Sequence, residues 1–512
     1  MPGAILERGA ALRACALAVI LAVSACGGSG AVDPVPLSCG ERANDTEARV
    51  LECMTLDGVM AHLEAWYDIA MRNGGTRTSG TEGYLASVDY AQRIFEGAGY
   101  QVERQSFPFS AYEDVEPSVL SRVSPLPAAA IDNDSMEFSG SGDVTAPAQA
   151  VPAFGCNAGD FAAFSAGSVA LIRRGECSFT TKAGLAQAAG AVAVVVYNNE
   201  PGGFGGALEH EPQIELPVVA IAMEAGEQLV AAAGLELRVK VAGLRSEGTT
   251  YNLIADSRSG NADTVVVVGA HLDSVRDGPG INDNGSGSAA VLETAVQLAK
   301  AGARNRLRFA LWGAEELGLL GSAAYVESLS DQARDRIAMY LNFDMLGSPN
   351  PGYFIYDGDN SDGKGEGPGP AGSEIIEKAF EDFYAARGKP VQGTDFDGRS
   401  DYGPFIEHGI PAGGVFSGGD DAKSAEQAAL WGGTAGMDFD PCYHKACDNL
   451  SNIDRDAFAL NSAAVAAVTL HFANEPLQPR PASAGRQAFS KTAGPAYVPP
   501  ADMRPRHLKP LR

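Results

Sequence analysis

The 512-residue chain predicts an α/β fold, a three-layer α/β/α sandwich interrupted by an inserted β-rich domain. Three observations predict it. Apolar β-branched runs such as Val265–Val268 read as strands buried on both faces, because a half-exposed strand would alternate with polar residues. Segments with helical spacing accompany them. Between about Pro117 and Leu244 the composition shifts to Ala, Val and Gly with short strand-like runs, which marks a second unit within the first. The length supports two cores.

The elements follow in order. Arg8 and Arg13 precede an apolar core, Ala14–Val23, too short to span a membrane and patterned as an export signal. It ends in Val-Ser-Ala-Cys, with Gly27 and Gly28 after Cys26, which resembles a bacterial lipobox in which Cys26 is lipidated. Residues 1–25 are therefore read as a lipoprotein signal peptide and 26–40 as a linker, rich in Gly, Ser and Pro near the anchor. The first part of the main domain spans 41–116. Asp57–Met71 and Tyr84–Ala98 carry helical spacing with TRTSGTEGY between them, and Tyr100–Phe107 alternates as a strand. Residues 117–245 form the insert, and 246–475 complete the main domain with Ala457–Phe472 as its last helix. Residues 476–512 are Pro-rich and carry seven Lys/Arg against Asp502 alone, so they read as a disordered basic tail.

Cysteines agree with export. Without Cys15 and Cys26 an even set remains, and proximity pairs Cys39–Cys53, Cys156–Cys177 and Cys442–Cys447. The formal charge of −26 excludes nucleic acid as a partner and favours solubility.

The chemistry lies in the second part of the main domain. Val265–Val268 leads to His271 at a strand end, with Asp273 on the same side of an extended chain and Asp283 before a Gly/Ser-rich helix start. An imidazole, a carboxylate to orient it and a second carboxylate from a nearby loop suit a hydrolytic zinc ion. The next strand, Arg306–Leu311, runs into Glu315 and Glu316, whose side chains diverge. A third, Ala338–Met345, places Asp344 at its tip. Tyr443 and His444 lie between Cys442 and Cys447. Ligands of open α/β sheets gather at such carboxyl ends.

Gly269–Ala289, Trp312–Ser322, Asn342–Ser348, Phe396–Phe405 (FDGRSDYGPF) and Asp440–Asn449 (DPCYHKACDN) resemble the secreted bacterial double-zinc, leucyl-type aminopeptidases. The likeness covers roughly 56–112 and 248–473, and the insert resembles a protease-associated domain. It implies a zinc exopeptidase fold with two zinc ions, one held by His271 and Asp344, the other by Glu316 and His444, and Asp283 bridging. It implies that Glu315 is the general base, Tyr443 an oxyanion donor and Asp273 the support of His271. Arg399 would lie at the substrate end, Phe416 would line the specificity pocket, and Asp283–Asn284 would be a cis peptide. The expected protein is a monomer acting on peptides, exported and anchored to the membrane through Cys26, or secreted. A carboxypeptidase or dipeptidase of the same clan, a non-catalytic binding ectodomain and a glutaminyl-cyclase-like transferase are the competing readings.

Overall fold

The computed structural model describes residues 38–209, 213–365 and 367–480. The signal peptide, Cys26 and the tail beyond Arg480 lie outside these residues.

Four neighbouring parallel strands form the heart of the molecule, in the order Ala412–Phe416, Ile337–Phe343, Asn261–His271 and Asn305–Trp312. Phe354–Tyr356 and Gln392–Thr394 extend one edge, and Glu236–Asp256 pairs antiparallel on the other. The central strand shows why its sequence is apolar throughout. Val266 and Val268 face one hydrophobic core and Val265 and Val267 the opposite one. Each such side chain, fully removed from water, contributes on the order of 1.5–3 kcal/mol.

The first core is closed by the helices Leu56–Arg72, Glu82–Ala98, Gly287–Leu298, Ser373–Ala385 and Arg455–Asn474. The second is closed by Leu320–Ser328 and Tyr402–Glu407. This is the three-layer arrangement. Helix starts are sharp because side chains cap them: Thr55 accepts the Gly58 N–H, Thr81 that of Tyr84 and Asp454 that of Ala457. Arg455–Asn474 is apolar enough to cross a membrane by length and composition, yet most of it is buried within the fold.

Two long strands, Gln101–Ser124 and Glu236–Asp256, run as one antiparallel ribbon out of the main sheet and into the insert. Their register slips between Asp114 and Val119, opposite the stretch from Lys240 to Gly243. The insert has cores of its own. Its strands Gly142–Ala150, Val169–Arg173, Ala193–Tyr197 and Val218–Ile221 are parallel neighbours, accompanied by the helices Phe179–Ala188 and Met223–Ala231.

The three disulfides join the cysteines that proximity paired. One expectation needs correction at its edge. The segment assigned to the tail is held as far as Arg480, whose guanidinium donates to the carbonyls of Ile337, Gly409 and Arg334. Composition could not show this, because the acceptors belong to a helix, a strand start and a turn far from Arg480 in sequence.

Candidate metal centre

Three adjacent parallel strands end together, and each delivers part of the site. His271 closes its strand opposite Trp312. Beyond Trp312 the chain turns through Gly313 and Ala314, at φ 55°, to present Glu315 and Glu316. On the other side of His271, Ile337–Phe343 leads into Asp344, followed by Met345 at φ 51°. His444 itself has φ 55°. Non-glycine residues rarely enter this left-handed region, at a cost of about 1–3 kcal/mol each, and here one is the candidate ligand His444, one follows Asp344 and one precedes Glu315.

Asp283 lies in the turn Ile281–Ser286 and is joined to Asn284 by a cis peptide. Asn284 locks this turn to the Asp344 strand: its amide donates to the Phe343 carbonyl at 2.9 Å, and its Oδ1 accepts the N–H of Gly287 at 2.8 Å and of Met345 at 3.2 Å. Gly287 permits that approach, since a Cβ there would lie 2.2 Å from the Phe343 oxygen.

The five expected ligand side chains converge. His271 Nε2 is 3.2 Å from Asp283 Oδ1 and 3.4 Å from Asp344 Oδ1. His444 Nε2 is 3.1 Å from Asp283 Oδ2 and 3.0 Å from Glu316 Oε2. Asp283 thus offers one oxygen to each histidine. Glu315 Oε2 stands at 3.8 Å from His271 Nε2, on the Asp344 side. His271 Nδ1 lies 3.2 Å from the Asp273 carbonyl oxygen and 3.7 Å from its Oδ1, which leaves Nε2 facing the centre. Asp273 Oδ1 also accepts the Glu315 N–H at 3.3 Å.

Tyr443 stacks on the His444 ring, with centroids 3.8 Å apart. Arg399 donates to its hydroxyl at 3.5 Å and pairs with Asp420 at 3.3 Å. Surrounding protein, then the charges of Asp283 and Glu316, hold the Tyr443 phenol well above the ordinary tyrosine value, so it remains a donor. Phe416 ends its strand beside that of Asp344 and packs against Phe354.

Electrostatics show what the centre would accept. Burial alone would push the His271 and His444 imidazoles down, yet Glu315 and Asp344 around the first, and Glu316 and Asp283 around the second, push both well above the histidine range. Burial, then the charges of Asp344, Asp401 and Glu316, pushes the Glu315 carboxyl well up. Among the described residues, Asp344 Oδ1 and Glu316 Oε1 are buried without a hydrogen-bond partner. A buried cluster so short of positive charge, with two imidazoles and open carboxylate oxygens, fits zinc.

Several supporting residues escaped sequence reasoning. Ser400 donates to Asp344 Oδ2 at 2.6 Å and accepts from Asn342 at 2.9 Å. Asp448 and Asp440 are bridged by the Asn452 amide beneath the disulfide loop. Both Ser400 and Asp448 sit inside conspicuous motifs, but their partners are set only by folding. A separate acidic group, Asp357, Asp359 and Glu377, is engaged by the backbone N–H groups of Gly358, Asp359, Ser361 and Asp362 and closes its own turn.

A cluster of buried and half-buried histidines and carboxylates at the carboxyl ends of a parallel sheet defines a metallohydrolase on an α/β/α frame. Residues 252–469 match peptidase family M28 and 141–229 match the PA domain. An aminopeptidase of Pseudomonas aeruginosa is 44% identical over 459 residues, 86% of this chain and 85% of that protein. A Mycobacterium tuberculosis protein named "Probable lipoprotein aminopeptidase LpqL" is 44% identical over 443 residues, 84% of this chain and 87% of its own. Among solved structures, an aminopeptidase from Aneurinibacillus sp. strain AM-1 is 26% identical at TM-score 0.65, covering 85% of this chain and 97% of that one. The chain belongs to peptidase family M28 and carries a PA domain inserted within it.

Proposed function

We propose that this chain is an aminopeptidase that works with two zinc ions and removes large apolar N-terminal residues from peptides. The observation that carries the reading is Asp283, whose two carboxylate oxygens each face a different histidine. His271, Asp344 and Asp283 Oδ1 would hold one ion, and His444, Glu316 and Asp283 Oδ2 the other. Zinc bound there supplies Lewis acidity, which acidifies water and polarises the scissile carbonyl.

The chain's own residues do the rest. Glu315 Oε2, near the ligands and outside both sets, takes the proton of the attacking water and returns it to the leaving amine, a role worth about 10²–10⁴ in rate. Tyr443 Oη donates to the carbonyl oxygen as its charge develops, with Arg399 steadying the phenol. Glu315 and Asp344 offer negative charge to the substrate's N-terminal ammonium. Phe416, one aromatic wall beside Gly418 and Gly419, faces the apolar side chain. Exported and anchored through Cys26, the enzyme acts as a monomer on peptides outside the cytoplasm.

The names of the relatives favour the amino end of the peptide over the carboxyl end. Intact Glu315 and all five ligands speak against a binding ectodomain. Turnover of leucyl-nitroanilide and its N-acetyl form, with zinc analysis of the same sample, tests the reading. We expect two zinc ions per chain and turnover of the free amine alone. Equal rates on both substrates overturn the aminopeptidase reading, and a zinc content of one overturns the paired-ion reading.

A further inference from the structure

The stretch that joins His271 to Asp283 has no regular secondary structure along most of its length, yet Leu272–Ser274 and Gly278–Gly280 are buried. Buried irregular backbone needs donors for its carbonyls, because water cannot reach them. They come from TRTSGTEGY, the motif between two helices that the catalytic assignment left without a task. Arg77 is fully buried. Its Nη1 donates to the Leu272 carbonyl, its Nε to that of Pro279 at 3.0 Å and its Nη2 to that of Gly280 at 2.6 Å. Its backbone N–H donates to Ser274 Oγ at 2.9 Å, and Thr76 Oγ1 donates to the Val275 carbonyl at 2.9 Å. The guanidinium lies 5.8 Å from the centroid of the Trp66 ring.

These acceptors lie at both ends of the stretch. Leu272 follows His271 directly, and Gly280, at φ 60°, begins the turn that presents Asp283. We propose that Arg77 is a positioning residue of the metal centre, clamping residues 272 and 279–280 together so that His271 Nε2 and Asp283 Oδ1 face one another before an ion arrives. The proposal rests on the zinc reading of those two residues. It also explains why the position holds arginine. Three carbonyls at fixed angles match a planar fork, whereas a lysine ammonium is a point donor on a flexible stem. The same guanidinium places one fixed positive charge near Asp273, Asp448 and Asp283, which lessens the repulsion among them.

Zinc affinity of the purified full chain, measured by competition with a chromophoric chelator, tests this for Arg77→Lys, Arg77→Met and Ser274→Ala. Outer partners of metal ligands typically set affinity by about 10–100-fold. We expect a loss in that range for the two Arg77 variants and a smaller loss for Ser274→Ala, with kcat recovering in excess zinc and KM little changed. If the Arg77 variants do not accumulate folded, Ser274→Ala decides by the same measure. Unchanged zinc affinity, with melting temperature lowered equally in zinc-free and zinc-loaded protein, assigns Arg77 a purely structural role and overturns the proposal. Absence of zinc binding by the unmodified chain overturns the zinc reading instead, so the two failures are distinct.

Discussion

Asp448 accepts the backbone N–H of Asp283 at 3.0 Å through one carboxylate oxygen, while the other accepts that of Asn282 at 2.8 Å. Because Asp448 follows closely on His444, a single carboxylate ties the backbone of Asp283 to the loop that carries the histidine facing it. The relationship couples two candidate ligands that lie far apart in sequence.

Replacing Asp448 by Asn turns one acceptor into a donor and leaves a buried N–H unpaired, while the backbone stays otherwise compatible. We expect zinc affinity to fall by about 10–100-fold, as for other outer partners of metal ligands. Chelator competition checks it, and affinity equal to the unmodified chain removes the coupling role.

Glu315→Gln keeps size and hydrogen bonding but cannot accept a proton. It should retain full zinc and lose roughly 10²-fold or more in kcat. His444→Ala should instead lose zinc. Metal analysis alongside steady-state kinetics separates the two, and a zinc-poor Glu315→Gln would mean that Glu315 and Glu316 have exchanged roles.

Tyr443→Phe leaves the ring stacked on His444 and deletes only the donor. The expected loss is about 10²-fold in kcat with KM nearly unchanged, since the hydroxyl is needed for charge that appears in the transition state. A rise in KM at constant kcat would place Tyr443 in substrate binding.

Glu377 provides a pH test away from the metal centre. Burial pushes its carboxyl up to about 7, against N–H donors from Asp359 and Gly358 and with the charges of Asp359 and Asp357 adding to the rise. A carboxyl raised above its unfolded value of about 4.3 destabilises the fold once ionised. Its penalty is therefore absent below that value and complete above about pH 7. Glu377→Gln should melt like the unmodified chain at pH 4 and higher than it at pH 8, by differential scanning calorimetry. A constant difference across that range contradicts the assignment.

Much of this protein was written in local pattern. The run Val265–Val268 could only be a strand covered on both sides, since nothing in it tolerates water, and the cores on its two faces follow from that. His271, Glu315, Glu316 and Asp344 stood out because charged or ligating groups at the ends of apolar strands have few other reasons to be there, and His444 stood out between Cys442 and Cys447. Proximity sufficed for the disulfides, because each joins cysteines close in sequence. Tertiary structure alone decided how these residues are held. Arg77, Ser400 and Asp448 are polar residues whose partners lie in other segments, and no period or spacing reports a hydrogen bond across such a gap. The held start of the tail is of the same kind, since Arg480 docks on the carbonyls of Arg334, Ile337 and Gly409, all distant from it in sequence. Periodicity records which side of an element meets water, and that determines layers and strand ends. The angles and separations of a metal centre depend on which backbone carbonyls and N–H groups meet which side chains, and only the folded chain brings those together.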